Sequence, residues 1–435
     1  MKRTSIIFFG DFISFVLAFV ILAFLRLSGQ NDLASASNHI LPFLILYFSW
    51  ALVFYMFGLY DLLSIKPTIP YLKRWAIALL CSFGVGIILF YFVPIFGISP
   101  KLNLIIQIIL FGIFSFSFRR IIYTLFSKTI TQPAILIGES SYLLELEKNI
   151  KINPQVGIHI IHHFKYLNDM DIDLGKIKNL VIIIDKNIGF KSDDILNLYR
   201  KNIEILDTAK AYEKYLTKIP VEYIDLSFVI EEVNTKKDIF YQIISWFLDK
   251  LFAILTLIIT SPLLLIGIIA RAIEDGRPIF IKQQRIGLNG KIFNIYKLRS
   301  MIALSPDGSA ETNGPVWATG KDDPRITKVG KVIRKLHIDE IPQMINVLAG
   351  DISLIGPRPE RPEFVEMLSK DIPYYSFRHI VKPGFTGWAQ IKYHYANSVL
   401  SSKEKFKYDL YYVKNRNIFM DFGICLRTIQ IIFTH

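Results

Sequence analysis

Residues 334–362 read RKLHIDEIPQMINVLAGDISLIGPRPERP, and the rest of the chain can be read outward from them. Two adjacent carboxylates, Asp339 and Glu340, lie between a basic lead-in (Arg334, Lys335) and a proline-clamped arginine, Arg358. Ile341-Pro342 predicts a helix starting there, because proline is tolerated only in a first turn. Two readings of the acids compete. In one, Asp339 caps the helix and Glu340 favours its dipole. In the other, the stretch is a phosphoryl-transfer site: a carboxylate nucleophile forms an acyl phosphate, its neighbour holds a divalent metal, and arginines neutralise phosphate oxygens. Pro357 and Pro359 fix the backbone on both sides of Arg358, which suits a side chain whose direction matters.

The 435 residues are 52% hydrophobic and 14% aromatic, too apolar for one ordinary soluble domain. A formal net charge of +13 calls for an anionic partner: nucleic acid, anionic lipid or a phosphorylated substrate. Only two cysteines occur, Cys81 and Cys425, which excludes a disulfide framework or a cysteine zinc site and fits a reducing compartment. The first apolar run is long and more follow it, so no cleavable signal peptide is expected.

Four segments are long enough to cross a bilayer: Ser5–Leu25, Leu41–Tyr60, Ala76–Phe96 and Leu104–Phe126. Lys2 and Arg3 precede the first; Lys66, Lys73 and Arg74 separate the second and third; Arg119, Arg120 and Lys128 close the fourth. The positive-inside rule puts the N-terminus and everything beyond the fourth span in the cytoplasm. Asp11, inside the first span, calls for hydration, a partner or a function. So few internal charges do not suit a transporter.

From Thr131 to about Ile230 the composition turns soluble. AILIGES reads as a buried strand running into a turn, Tyr142–Lys151 as a helix and Val181–Asp185 as a second core strand, with further signals at Leu196–Tyr199 and Ile203–Leu206. The alternation predicts a small parallel, Rossmann-like sheet. A dinucleotide loop would read G-x-G-x-x-G, yet only Gly138 is present, and Glu139 would repel a pyrophosphate. With no Tyr-x-x-x-Lys pair either, this domain reads as structural or regulatory.

Leu251–Ala270 has the length of a fifth span. Ser261-Pro262 at its centre argues for a bent, re-entrant hairpin instead: proline removes a helix hydrogen bond, and a neighbouring serine can satisfy the freed backbone group. Most of the chain's excess positive charge follows, in residues 271–435. There, Asn289-Gly290 predicts a hairpin carrying Arg285, Lys297 and Arg299 near its ends. DDPRITKVGKVIRKL then brings Arg325 and Arg334 towards the acidic pair. The final segment mixes lysines and tyrosines and closes with IFMDFGICLRTIQIIF, a one-sided apolar helix suited to an anionic membrane surface rather than to nucleic acid.

These motifs, namely QQRIGLNGKIFNIYKLRSM, DDPRITKVGKVIRKLHIDEIPQMINVLAGDISLIGPRPERPEF and VKPGFTGWAQ, resemble those of the bacterial sugar transferases, the monotopic polyprenyl-phosphate glycosyl-1-phosphate transferases, from about Asp249 to the C-terminus. The four spans and Rossmann-like domain ahead of them are similar to the long-form members that begin exopolysaccharide or O-antigen assembly. The resemblance implies transfer of a sugar-1-phosphate from a UDP-sugar to undecaprenyl phosphate, with release of UMP and with Mg²⁺ (or Mn²⁺) as cofactor. It implies Asp339 as nucleophile, Glu340 as its metal-binding partner, Pro357-Arg358-Pro359 and Arg334 facing phosphate, and Ser261-Pro262 as the break in a re-entrant helix. Four positions depart from the family's pattern: Ser245-Trp246 replaces a basic pair, His337 stands where serine is usual, and Ile341 replaces leucine.

The expected architecture is therefore a membrane protein of α plus α/β class. Residues 1–128 form four transmembrane helices, 129–236 a Rossmann-like domain, and 237–435 a monotopic α+β catalytic domain with a re-entrant helix near 251–272. It sits in the bacterial inner membrane with its catalytic domain on the cytoplasmic leaflet, and a homodimer is compatible with the resemblance. The competing readings are a membrane-tethered nucleotide-sugar dehydratase or epimerase, and a non-enzymatic scaffold.

Overall fold

The computed structural model describes residues 2–27, 33–92, 101–166, 169, 177–186, 188, 198, 200, 203–224, 239–305, 310, 323–393 and 398–434. The chain divides into two compact units, Met1–Ala211 and Tyr212–His435. The boundary expected near residue 236 lies outside the described residues.

The first unit opens with four apolar helices, α1 (Lys2–Leu27), α2 (Leu33–Met56), α3 (Ile69–Phe92) and α4 (Lys101–Thr124). They overlap the four expected spans, although α2 ends at Met56 rather than Tyr60, α3 begins earlier than the predicted Ala76, and residues 93–96 lie outside the described residues. α1, α3 and α4 are long and apolar enough to cross a membrane, whereas the apolar part of α2, Ile40–Met56, is shorter. The chain has the helices of a membrane protein. Trp50, Phe54, Phe111 and Tyr47 fill the bundle's core, and Ile13, Ile109 and Ile121 face outward. Asp11 is fully buried and partnered. Its carboxylate pairs with Arg119 and accepts a 2.8 Å bond from the Ser115 hydroxyl, while Arg119 Nη1 donates to the Leu59 carbonyl at 2.6 Å. An acid this deep in apolar surroundings persists because its charge is matched and its lone pairs are used.

The α/β part of this unit comprises β1 (Gln132–Ile137), α5 (Ser141–Ile152), β2 (Ile158–Phe164), β3 (Val181–Ile184) and β4 (Glu204–Asp207). They make a parallel sheet in the order β2-β1-β3-β4. β1 and β3 are central and nearly continuous in Ile, Leu and Val, as a sheet covered on both faces requires. The helix expected at Leu196–Tyr199 falls mostly outside the described residues; Ile203–Leu206 becomes β4. In a sheet of this order a ligand would enter at the carboxyl ends of β1 and β3. Here the Asp185 carboxylate occupies the mouth of α5, accepting from the Ser140 N–H at 2.8 Å, the Ser140 hydroxyl at 2.6 Å and Thr208 Oγ1 at 2.7 Å. Gly138 has φ +135°, and a Cβ on it would fall 2.2 Å from Asp185 Oδ2. The lone glycine thus makes room for an internal carboxylate.

The second unit begins within α6 (Thr208–Leu216) and continues into α7 (Ile239–Asp275), a helix that runs through Ser261 and Pro262 without interruption. Proline leaves the Ile258 carbonyl without its usual donor, and Ser261 Oγ supplies one at 2.8 Å. α7 is also long and apolar enough to cross a membrane. Both ends of its apolar stretch are nevertheless fastened to this same unit. Before the stretch, Asp249 accepts from Leu354 N–H at 2.9 Å and Lys250 donates to Val347 and Leu348. After it, the buried Arg271 donates to Thr327 Oγ1 at 2.9 Å and to the Met301 carbonyl at 3.2 Å. Ile258, Ile259 and Ile266 lie exposed between these anchors.

Upon α7 sit the antiparallel hairpin β5 (Phe280–Ile286) and β6 (Ile292–Leu298), then α8 (Lys328–Lys335), α9 (Gln343–Ala349), β7 (Ser353–Ile355), α10 (Pro362–Asp371), β8 (Gly384–Thr386), α11 (Trp388–Lys392), α12 (Val399–Asn415) and α13 (Ile418–Thr434). The hairpin turns at Asn289-Gly290, both at positive φ.

Candidate active site

Asp339 and Glu340 lie in a short 3-10 turn, Ile338–Glu340, between α8 and α9. His337 enters it in the left-handed conformation (φ 55°), one that histidine adopts more readily than β-branched residues. Pro342 then precedes α9, as the sequence predicted, but neither the turn nor α9 has a side-chain cap. The acids are therefore not spent as helix caps.

Strand alternation decides which basic residues approach them. Arg285 pairs with Phe293 across the hairpin, so Arg285, Ile295 and Lys297 share one face. With Gln343, Arg358, Pro359 and Gly384 they line one small pocket. Glu340 accepts a 2.5 Å bond from Arg358 Nη2. Arg334, at the end of α8, is near enough to Asp339 to act on its charge.

The Pro357-Arg358-Pro359 backbone is held from outside, since prolines donate nothing. The fully buried Arg378 donates to the Arg358 carbonyl at 2.9 Å while paired with Asp409 at 2.8 Å. Arg285 Nη1 reaches the Pro359 carbonyl at 3.2 Å, and Gly384 N–H the Pro357 carbonyl at 2.8 Å. A Cβ on Gly384 would lie 2.0 Å from the Gly356 nitrogen, which explains the first glycine of KPGFTGW. Asn346, also buried, clamps α9 to β6: it accepts from Tyr296 N–H at 3.0 Å and donates to the Asn294 carbonyl at 2.8 Å.

Two other basic residues singled out in the sequence are engaged elsewhere. Arg299 is buried and donates to the Gly276 carbonyl at 3.0 Å, beside the end of α7. Arg325 grips Asp323 through two bonds, at 2.9 and 2.6 Å. Conversely Gln343, Asn346 and Arg378 emerge only from the structure. Ser261 and Pro262 sit on α7 and are not among the residues that line the pocket.

The electrostatics divide the two acids. Burial, then the charge of Glu340, pushes the Asp339 carboxyl above the ordinary carboxylate range, against the pull of Lys297 and Arg334. For Glu340 burial acts in the same direction, but Arg358 and Lys297 outweigh it and hold the group below its usual value. Lys297 has no ion pair among the described residues, and burial, with Arg285 close by, lowers it to about 8. No three acidic, histidine or cysteine side chains converge among the described residues. The two adjacent carboxylates are donors of the kind that a hard divalent ion takes when phosphate oxygens and water complete its shell. Such a site can hold an oxyanion among fixed cations, beside a carboxylate whose negative form is still reactive.

Residues 240–435 match the family described as bacterial sugar transferase. The chain is 43% identical over 194 residues to the UDP-N-acetylgalactosamine-undecaprenyl-phosphate N-acetylgalactosaminephosphotransferase of Aeromonas hydrophila, covering 45% of this chain and 44% of that protein. It is 40% identical to the uncharacterized sugar transferase EpsL of Bacillus subtilis over 42% of this chain and 83% of the relative. A UDP-glucose:undecaprenyl-phosphate glucose-1-phosphate transferase of Xanthomonas campestris pv. campestris is 32% identical over 68% of this chain and 66% of its own length. The match thus spans less than half of the Aeromonas protein.

Proposed function

This chain belongs to the bacterial sugar transferase family, and on that premise we propose that it transfers a sugar-1-phosphate from a UDP-sugar to undecaprenyl phosphate. The observation that carries this reading is the pocket where Arg285, Lys297 and Arg358 converge beside the Asp339-Glu340 turn. Three cations around one cleft match a pyrophosphate, and an adjacent acid matches a nucleophile.

In the proposed route an Asp339 carboxylate oxygen attacks the sugar-bearing phosphorus, and the bond to the UMP oxygen breaks with UMP taking the electron pair. A phosphate oxygen of the polyprenyl acceptor then attacks the same phosphorus. The acyl-phosphate bond breaks and the Asp339 carboxylate is restored. Lys297 and Arg358 neutralise charge as it moves to the leaving group. Glu340 would hold Mg²⁺ (or Mn²⁺), which supplies further positive charge against the pyrophosphate oxygens.

One substrate is water-soluble and the other lies in a leaflet, so the site must sit at the membrane plane. The exposed apolar face of α7, anchored at both ends to the catalytic unit, supports a helix that enters and leaves on one side. The positive-inside count makes that side cytoplasmic. The α/β part of the first unit serves as scaffold, its ligand crevice already filled by Asp185.

The test is UMP release across a panel of UDP-sugars with undecaprenyl phosphate, with Mg²⁺ and with EDTA. The reading requires metal-dependent release with at least one donor; no release with any of them would refute it.

A further inference from the structure

We propose that the α3–α4 end of the membrane bundle holds the phosphate group of a membrane lipid, in a cleft separate from the transfer site. Tyr71, Arg119, Arg120 and Tyr123, with Ile65 and Phe116, line this cleft between the first turn of α3 and the last turns of α4. Tyr71 is 2% exposed, and its hydroxyl has no hydrogen-bond partner among the described residues. One helical turn further, the buried Trp75 indole nitrogen also has none, and its ring packs 5.2 Å from that of Phe116.

Arg119 is committed to Asp11 and to the Leu59 carbonyl. Arg120 makes no side-chain hydrogen bond or ion pair among the described residues, so the spare charge is its own. The cleft therefore gathers a buried hydroxyl and a guanidinium without an acceptor among the described residues, with the Trp75 indole N–H outside its lining. A buried hydroxyl left without a partner is costly, whereas the exposed Arg120 brings a charge that a ligand at this end can meet. An oxyanion with several accepting oxygens suits the Tyr71 hydroxyl and the Arg120 guanidinium at once, and phosphate matches the guanidinium best.

The location names the source. Lys66, Lys73, Arg74 and Lys128 flank the same helix ends in sequence. The positive-inside rule makes this the cytoplasmic end, where anionic lipids concentrate and basic clefts between helices take their headgroups. Ile113 and Ile121 on α4 are exposed, leaving an apolar track for acyl or prenyl chains.

The full chain would be reconstituted in nanodiscs of phosphatidylcholine alone, or with added phosphatidylglycerol, undecaprenyl phosphate or inorganic phosphate. Thermal midpoints and native-mass lipid counts are then compared with Tyr71→Phe, Arg120→Gln and Lys73→Gln. In phosphatidylcholine, Tyr71→Phe should be as stable as the wild type, since it removes only an unpaired hydroxyl. One of the two anionic lipids should raise the wild-type midpoint and remain bound, which identifies the source. Tyr71→Phe and Arg120→Gln should lose most of that gain, while Lys73→Gln keeps it. An equal gain in all variants, no gain from either lipid, or a gain from inorganic phosphate alone would overturn the proposal. None of these readouts depends on catalytic turnover.

Discussion

Glu340 and Arg358 are joined at 2.5 Å, so the acid next to Asp339 is neutralised by the arginine between the two prolines. This pairing separates the two carboxyls: Glu340 stays ionised, while burial and the Glu340 charge make Asp339 reluctant to ionise. On the proposed route Asp339 must be negative to attack, and Lys297 positive to neutralise phosphate. Activity in UMP release should therefore fall as pH drops through the raised Asp339 value, and fall again above about 8 as Lys297 loses its proton. Lys297→Arg should remove the alkaline fall, because arginine stays charged. Glu340→Gln should shift the acid limb to lower pH, since a neighbouring negative charge is gone. An acid limb unmoved in Glu340→Gln would show that another group titrates there.

Truncation tests where the catalytic unit begins. Ile219, Val221 and Ile224 pack with Leu368, Ile372 and Phe406, and Lys218 pairs with Glu404. Burial of each aliphatic side chain is worth about 1.5–3 kcal/mol. A chain starting at Tyr212 should keep these contacts and the transfer reaction. One starting at Lys237 should be less stable by roughly 5 kcal/mol or more, measured as a lower denaturant midpoint. Equal midpoints would contradict the packing.

How much of this was legible in the sequence depended on how local the signal is. Asn289-Gly290 announced a hairpin because that turn demands positive φ at both residues. Asp339-Glu340 and Pro357-Arg358-Pro359 stood out because each is an unusual cluster within a few positions. The run of basic residues did not reveal its own sorting. Arg285 and Lys297 reach the pocket through strand parity, whereas Arg299 and Arg325 turn to Gly276 and Asp323. Gln343, Asn346 and Arg378 gave no signal, since a polar residue in a helix acquires its role only from partners folded against it. Asp11 showed that a partner was needed but not which one; Arg119 lies on the fourth helix.

That pair gives a membrane-side prediction. Arg119→Leu leaves a buried carboxylate without its cation and should cost about 3–5 kcal/mol. Replacing Asp11 with leucine as well should restore most of the loss. The measurement is thermal unfolding in nanodiscs, and a double variant no better than the single one would show that Arg119 matters for other reasons.

Topology can be read with a thiol. In a chain whose Cys81 and Cys425 are serine, Lys331→Cys on the exposed face of α8 should resist an impermeant reagent in intact spheroplasts and react after lysis. Pro262→Leu returns a backbone donor to the middle of this apolar helix, favours a straight span, and should make part of the population label from outside, with lower activity. Full labelling of the Pro262 chain before lysis would place the catalytic unit on the far side.

The central claim is that Asp339 carries the sugar phosphate. Purified protein is mixed with a UDP-sugar that it turns over, in the presence of Mg²⁺ and without lipid acceptor, then digested and analysed by mass spectrometry. The account predicts about one UMP per active site in a rapid burst, a sugar-phosphate adduct on the peptide containing Asp339, and loss of that adduct when undecaprenyl phosphate is added. Asp339→Asn should give neither burst nor adduct. An adduct on another residue, or near-normal UMP release by Asp339→Asn, would contradict it.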